Sequence, residues 1–307
     1  MSQVKHSIEE IGAKMDALGL WDALLPYNWA IKPARTALPY FCIVLKGDMK
    51  PVKVRLLMLE GWQTLHDFLR TRLDRNFGVY SSPIEFPHYE LVILANGEAK
   101  ALRHDTGYMP AEVSDETKKE FFLKLLWEAY GVMLRMEVDH KLPLSFAAEQ
   151  SIFARVESAE GDWEDAPLKV TPPPPYVEKL SFSKADVQKA KDLPIMSDFV
   201  LELDFRLSPK RMTREPRPRT VYILKGIDSA TGEKLIERGV SLDKAHGLKE
   251  LWLSMPQQFL RELLRIGKLP GEVKLVSGRV FRMIRPLCIE LPFKLSLHDS
   301  LPRVEAE

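Results

Sequence analysis

The chain has 307 residues, of which 45% are hydrophobic and 28% charged, and its formal net charge is +1. This nearly neutral balance excludes a polyanion-binding field spread over the whole protein and an acidic solvating tail. The length predicts about two domains, each large enough to bury a core without disulfides or metal ions.

The two cysteines predict a reducing compartment. Cys42 and Cys288 lie in separate apolar runs, where a free thiol behaves as a small buried hydrophobe, and neither has a second cysteine at metal-ligand spacing. The first residues lack the apolar core of a signal peptide, and no apolar run approaches the roughly 20 residues that span a bilayer. We therefore expect a cytoplasmic protein without a membrane segment.

The first half of the chain predicts a domain of mixed helices and strands. Apolar residues recur every three or four positions in the helical segments and are concentrated in shorter runs in the strands. Ser7 and Ser114 provide helix caps, and Gly131 provides a helix end. The predicted order is a helix over 8–18, a hairpin over 39–46 and 52–59, a helix over 62–76, strands over 89–95 and 98–104, a helix over 115–130, and strands over 132–138 and 151–156.

A proline run predicts the domain boundary. Residues 157–165 are acidic and polar, and Pro172–Pro175 can neither donate to a sheet ladder nor continue a helix. We expect a spacer there; a ligand for an SH3-like partner is the alternative. The predicted division is an N-terminal domain over 1–165, a proline-rich linker over 166–180 and a C-terminal α/β domain over 181–307.

The C-terminal half predicts a second sheet with flanking helices. On the strand over 199–207, apolar residues alternate with Glu202 and Asp204, which predicts a solvated acidic face. The remaining segments are a helix from Ser183 to before Pro194, a hairpin over 220–228 and 233–240, a helix over 255–266 with a capping box at Ser254, and strands over 272–276 and 287–291. The fold class is thus mixed α/β (α+β), with two domains that each contain a hairpin-bearing sheet and flanking helices. The hairpin-then-helix order at 39–76 and 220–266 suggests two related modules.

Short motifs along most of the chain resemble a family of proteins. The N-terminal motifs are Gly107–Pro110 with the helix after Ser114, then Phe153–Arg155 and Gly161–Trp163; the C-terminal ones are Arg217–Pro218, Asp228 with Thr231–Gly232, the helix over 259–264, and Pro270. They resemble an uncharacterised bacterial two-domain family, both of whose domains are catalogued as domains of unknown function. The resemblance implies the domain division and no activity.

The C-terminal order is also distantly similar to a ribonuclease H-like core. In such a core, an Asp on the first strand and carboxylates from later segments hold two metal ions. Asp228 stands in the place of the first acid, but Ser277 stands where integrase-like members carry a second Asp. The alternative, which we favour, is that Asp228 begins the hairpin turn by accepting hydrogen bonds from nearby amides, with Gly232 in the left-handed conformation.

A basic loop over 206–219 is a candidate binding segment. Its cations are Arg206, Lys210, Arg211, Arg214, Arg217 and Arg219. They are able to neutralise several phosphates, although no aromatic residues alternate with them for base stacking. The open alternatives are a solvated loop partly paired with Glu202, Asp204 or the acidic run, a polyanion site, and a site for an acidic protein partner.

Histidines and acids are adjacent in two pairs, His104-Asp105 and Asp139-His140, with His88 and Glu90 not far away in sequence. Adjacent residues on a strand point to opposite faces, so this spacing is poor for joint metal ligation. Zinc ligands assembled from separate loops are the alternative; we expect ordinary surface or turn residues. The sequence therefore assigns no catalytic, cofactor-binding or metal-ligating residue.

No nucleotide-binding, serine-hydrolase, zinc-protease or dithiol motif is present. We therefore expect a binding or regulatory module that has no catalytic activity and no cofactor. The alternative is a nucleic-acid-associated protein that uses the basic loop over 206–219 on a degenerate ribonuclease H-like core. The expected partner is a protein or a nucleic acid, and not a membrane.

Overall fold

A computed structural model describes residues 7–47, 50–72, 86–144, 150–173, 182–208, 218–241 and 248–306. The α-helices of this part of the chain are α1 (Ile8–Ala17), α2 (Trp21–Leu24), α3 (Gly61–Arg72), α4 (Glu116–Val138), α5 (Lys184–Lys191), α6 (Leu248–Ile266), α7 (Gly278–Glu290) and α8 (Pro302–Glu305). The strands are β1 (Asn28–Lys32), β2 (Tyr40–Lys46), β3 (Val52–Glu60), β4 (His88–Leu94), β5 (Ala99–His104), β6 (Ala111–Glu112), β7 (Ser151–Glu157), β8 (Trp163–Lys169), β9 (Ile195–Leu207), β10 (Val221–Asp228), β11 (Lys234–Ser241), β12 (Leu269–Leu275) and β13 (Lys294–Leu297). None of the described helices is both long and apolar enough to cross a membrane.

The chain divides into two compact units, and the division in its second half falls between Pro174 and Pro175. Each unit has its own sheet and its own apolar core, so the predicted fold class is confirmed. The expected linker over 166–180 needs correction at its start, because residues 166–169 belong to β8 and pair with β7. The acidic composition hid this strand from sequence reasoning. Residues 174–180 lie outside the described part of the chain.

The first unit contains an eight-stranded sheet in the order β6-β5-β4-β3-β2-β1-β7-β8. Its neighbouring strands are antiparallel except β1 and β7, which are parallel. One face packs against α1 and α4 around a core that includes Trp29, Phe122 and Phe153. On the other face, Phe41 contacts Trp62 of α3, with ring centroids 4.5 Å apart. Because both faces are covered, the central strands are apolar almost throughout.

The long helix of the first unit corrects one prediction. α4 continues through Gly131, so the strand expected over 132–138 is wrong. Val132, Met133 and Met136 are buried, and their spacing continues the apolar stripe of the helix beyond the glycine. A glycine inside a helix costs only about 1 kcal/mol relative to alanine, which this packing outweighs.

The second unit contains a five-stranded sheet in the order β11-β10-β9-β12-β13. β9, β10 and β11 are antiparallel neighbours, whereas β12 and β13 run parallel to β9. Parallel strands need a crossover, and α6 and α7 provide the connections before and after β12. With α5, these helices pack on one face of the sheet around residues such as Phe259, Leu263 and Leu287.

The boundaries of two helices in the second unit differ from those that the sequence predicts. α6 begins before Ser254, whose hydroxyl donates to the carbonyl of Leu251 inside the helix instead of capping it. α7 continues past Pro286, so the strand expected over 287–291 is wrong, and the last strand is β13. Pro256 likewise lies inside α6. In both helices the apolar stripe on the core face continues across a proline that normally signals a helix end.

The acidic face of β9 is buried. Glu202 and Asp204 lie opposite the core-facing residues of the strand, as expected, but they are only 3% and 1% exposed. Residues near the C-terminus cover them, and Leu301 and Val304 form a small apolar cluster with Ile227 on this side. The expected solvated acidic face is therefore wrong, since residues about 100 positions later in the chain pack on it.

Candidate functional site

An open polar pocket lies beside the buried acids of the second unit. Its volume is 370 Å³. Its walls are formed by Glu202, Ser229, Lys274, His298, Ser300, Pro302 and Arg303. Lys274 is the ladder partner of Glu202 on the neighbouring strand β12, and His298 follows β13. The pocket thus offers two permanent cations and an imidazole around one buried acid.

Glu202 is used by the fold itself. One of its carboxylate oxygens accepts a hydrogen bond from Ser229 Oγ at 3.2 Å. The other accepts from the backbone N–H groups of Arg303 at 2.9 Å and Val304 at 3.2 Å. These amides belong to the first turn of α8, where N–H groups have no partner inside the helix. The charge of Glu202 therefore holds the C-terminal helix against the sheet.

Asp228 is a turn residue, as the favoured interpretation predicted. Its Oδ1 accepts hydrogen bonds from the backbone N–H groups of Ala230 at 2.8 Å and Thr231 at 3.2 Å. Gly232 has a φ of +76°, the left-handed conformation that closes the turn. Ser277, in the place considered for a second acid, caps α7 by accepting from the N–H of Val280.

Asp204 is a second buried acid on the same face of β9. Burial, opposed by the nearby Arg206, raises the pKa of Asp204 to about 7. Asp204 forms an ion pair with Arg206, whose Nε lies 3.6 Å from Asp204 Oδ2. Neither carboxylate oxygen of Asp204 has a hydrogen-bond partner among the described residues. A carboxylate in this environment is stabilised in its protonated form.

The structure describes only two of the six cations of the basic loop. Arg206 is half-buried on β9 beside Asp204, which agrees with the expectation of partial pairing with that acid. Arg219 forms an isolated antiparallel bridge with Tyr108. The other candidate cations, Lys210, Arg211, Arg214 and Arg217, lie outside the described residues.

A group of three potential metal ligands lies in the first unit. His88 and Glu90 are on β4, His104 is on β5, and one ligand atom of each lies within 4.8 Å of the others. In the described part of the chain, this is the one such group of three histidines, cysteines or acids. His88 and Glu90 are 0% exposed and His104 is 1% exposed. The expectation that these residues occupy the surface or turns is wrong, although it holds for His140, which is exposed next to the end of α4.

The contacts of this His–Glu–His cluster are asymmetric. Nε2 of His104 lies 2.5 Å and Nε2 of His88 3.9 Å from the same oxygen, Glu90 Oε2. The other oxygen of Glu90 pairs with Arg55 of β3. Burial, the largest cause, and then the neighbouring His104 lower the pKa of His88 to about 4.

Some of these residues carried a signal in the sequence. His88 and Glu90 are two positions apart, which places both side chains on one face of a strand. Nothing in their local sequence indicated that His104 would lie directly across from His88.

Compared with known proteins, the chain matches no family model, no curated protein and no solved structure.

Proposed function

We propose that the protein is a non-catalytic binding module whose second unit receives an anionic group of a partner molecule in the polar pocket. One observation carries this proposal. The acids that a phosphodiester hydrolase would use for metal ions are engaged or enclosed within the fold, whereas Lys274, His298 and Arg303 line the open pocket.

The positions of the acids support a role without catalysis. Two-metal hydrolysis needs carboxylates that converge on the ions with free oxygens. Both oxygens of Glu202 are hydrogen-bonded inside the unit, and Asp228 is bonded to its own turn. Asp204 is enclosed and favours the protonated form. Among the described residues of the second unit, no three acids, histidines or cysteines lie close enough together to share a metal ion.

The lining of the pocket supports an anionic ligand. Pockets for apolar ligands are enclosed and lined mostly by hydrophobic side chains. This pocket is open, and its exposed walls include His298, Ser300 and Arg303. Ligand binding there would depend on charge-assisted hydrogen bonds, which are about twice as strong as neutral ones.

A binding assay tests the proposal. Fluorescence anisotropy should detect binding of the full chain to at least one of three labelled probes: an acidic peptide, single-stranded DNA and single-stranded RNA. Replacement of both Lys274 and Arg303 by Gln should weaken that binding about tenfold or more, because each lost charged hydrogen bond is worth about 1.5–3 kcal/mol. The Arg303→Gln change keeps the backbone N–H that Glu202 accepts from, so α8 remains capped.

Lys189→Gln is the matched control, since Lys189 is an exposed cation on α5 and does not line the pocket. Equal affinities of the wild-type chain and the pocket variant would contradict the proposal, as would the absence of binding to all three probes. Cleavage of either nucleic acid in the presence of Mg²⁺ or Mn²⁺ would contradict its non-catalytic part.

A second candidate is a nucleic-acid-associated protein that uses the basic loop on a degenerate ribonuclease H-like core. What supports it is the order of a hairpin, a helix, a strand, a helix and a last strand in the second unit, although the last strand is Lys294–Leu297 and not the one expected over 287–291. Neutralisation of the cations at 206–219 should then weaken DNA or RNA binding and make it less dependent on salt. Equal weak binding by the loop-neutralised variant and the wild type would remove this candidate.

A further inference from the structure

The His–Glu–His cluster of the first unit is a consequence of sheet register. His88 and His104 are direct partners in the β4–β5 ladder. Glu90 is two residues after His88 on the same strand, so its side chain leaves the same face of the sheet. The imidazole rings of His88 and His104 stack with centroids 4.0 Å apart and an angle of 16° between the planes. Both imidazoles thus stand side by side at one carboxylate.

Four buried polar atoms of this cluster have no hydrogen-bond partner among the described residues. This applies to Nε2 of His88, Oε2 of Glu90 and both ring nitrogens of His104. Buried polar atoms in native proteins are nearly always hydrogen-bonded, so several unsatisfied atoms at one point need an explanation. A ligand at that point is one such explanation.

Neighbouring groups fix the orientation of two of these side chains. Nδ1 of His88 lies 2.7 Å from the carbonyl oxygen of Phe86. A carbonyl oxygen only accepts, so Nδ1 carries the hydrogen, and in the neutral ring Nε2 presents its lone pair to the cluster. Arg55 pairs with Oε1 of Glu90, so Oε2 is the oxygen that faces the histidines. Metal-binding histidines and carboxylates are oriented by outer contacts of this kind.

The geometry inside the cluster places acceptors against each other. The lone pair of His88 Nε2 faces Glu90 Oε2 at 3.9 Å. His104 Nε2 is 2.5 Å from the same oxygen, and neither atom has a hydrogen-bond partner of normal geometry in the described part of the chain. In a metal site the ligands surround the ion, and an oxygen ligand lies off the ring axis of each histidine for that reason.

We propose that His88, Glu90 and His104 bind one divalent transition-metal ion, with Zn²⁺ as the best match. Two imidazole nitrogens and one carboxylate oxygen form an established ligand set for zinc, with bonds of about 2.0–2.2 Å. Tetrahedral ligands at that distance are about 3.3 Å apart, so each of the two Nε2–Oε2 distances needs to change by less than about 1 Å. The stacked rings also need to turn so that the ion lies in the plane of each.

Burial indicates that this ion has a structural role. All three ligands are excluded from solvent, and the cluster lies between two neighbouring strands of the sheet. A bound ion would connect β4 to β5 and stabilise the folded first unit by an amount that grows with the logarithm of its free concentration over its dissociation constant. The site is separate from the polar pocket, which is formed by residues of the second unit.

Metal titration of the full chain tests this proposal. Protein stripped with a chelator and dialysed against metal-free buffer should bind one equivalent of Zn²⁺ in calorimetry, and Zn²⁺ should raise its thermal midpoint. Glu90→Gln and His104→Gln should each weaken this binding at least tenfold, while His140→Gln, at an exposed histidine, should leave it unchanged.

Two outcomes of the Zn²⁺ titration would overturn the proposal. One is the absence of stoichiometric Zn²⁺ binding by the wild type, which would leave a buried carboxylate–imidazole contact only. The other is Zn²⁺ binding that survives both substitutions in the cluster. Because these variants change buried residues, a measurement on the unmodified chain is added: bound Co²⁺ should give the visible absorption of a four-coordinate nitrogen and oxygen site, and Zn²⁺ should abolish it. Co²⁺ spectra of a six-coordinate, solvent-exposed ion would also reject the site.

Discussion

The buried carboxylate of Asp204 makes the stability of the second unit depend on pH. Its folded pKa is about 7, with burial as the main cause, whereas an unfolded chain titrates an Asp near about 3.9. The folded state therefore keeps a proton that the unfolded state has lost. As a result, the contribution of Asp204 to the free energy of unfolding falls as pH rises from about 4 to about 7. At higher pH this contribution stays constant.

We predict that Asp204→Asn removes this fall, because an amide of the same shape does not ionise. The gain in the free energy of unfolding relative to the wild type should grow between pH 5 and pH 7, by up to about 1.4 kcal/mol per pH unit. Urea denaturation at several pH values measures it. Asp198→Asn, at an exposed position on the same strand, is the control variant. A parallel pH profile for Asp204→Asn and the wild type would contradict the prediction.

The His–Glu–His cluster marks the limit of what the sequence predicted about single side chains. The predicted strands over 89–95 and 98–104 imply a two-residue turn at Asn96-Gly97, in which residue 95 pairs with residue 98. That register would place His104 opposite Tyr89 and on the other face of the sheet from His88. The observed ladder pairs Ile93 with Ala99, one residue out of that register. Because side chains alternate along a strand, this single step moves His104 to the face of His88. Only the folded turn decides that step.

Two glycines allow the effect of backbone conformation on stability to be tested. Gly131 lies inside α4 with a helical backbone, and Gly267 follows α6 with a φ of +77°. A Cβ atom at either position would meet no atom within 4 Å, so the substitutions differ in backbone conformation and not in steric contacts. The left-handed conformation disfavours every residue with a Cβ atom, whereas helical backbone favours alanine over glycine.

We predict opposite effects for the two alanine substitutions. Gly131→Ala should raise the free energy of unfolding of the first unit by about 1 kcal/mol, and Gly267→Ala should lower that of the second unit by about 1 kcal/mol. Urea unfolding monitored by circular dichroism gives both values, and each variant is the control for the other. A change of the same sign in both variants would show that packing, and not backbone conformation, controls these positions.

The sequence predicted helices and strands where local rules and long-range packing agree. The hairpin of β2 and β3, the capped helix α1 and the turn at Asp228 were all expected, since their signals lie within a few residues. The segments 132–138 and 287–291 were not, because a glycine and a proline suggested helix ends there. Burial of the apolar stripe against the sheet decided in favour of helix in both cases.

In the molecule as a whole, the two largest apolar clusters of the described residues lie one in each unit. Leu56 of β3 belongs to the core of the first unit and Leu201 of β9 to that of the second, and both are 0% exposed. The two clusters share no residue. Substitution of a buried leucine by alanine costs about 2–5 kcal/mol through lost burial and a residual cavity.

We therefore predict that Leu56→Ala and Leu201→Ala destabilise different sheets. Hydrogen exchange measured by mass spectrometry should become faster in β2–β4 for the first variant and in β9, β10 and β12 for the second. Amides of the other sheet should keep their wild-type rates, and they serve as the internal control. Faster exchange of both sheets in either variant would mean that the units unfold as one.

The contact between Glu202 and α8 has a consequence for the order of folding. The amide donors of Glu202 come from residues 101 and 102 positions later in the chain. In a nascent chain that has not yet emerged as far as Arg303, Glu202 lacks both these donors and the helix that covers it, so its carboxylate stays in water, because burial of an unsatisfied charge is strongly unfavourable. The middle strand of the second sheet thus reaches its final environment only after residues 303 and 304 have left the ribosome.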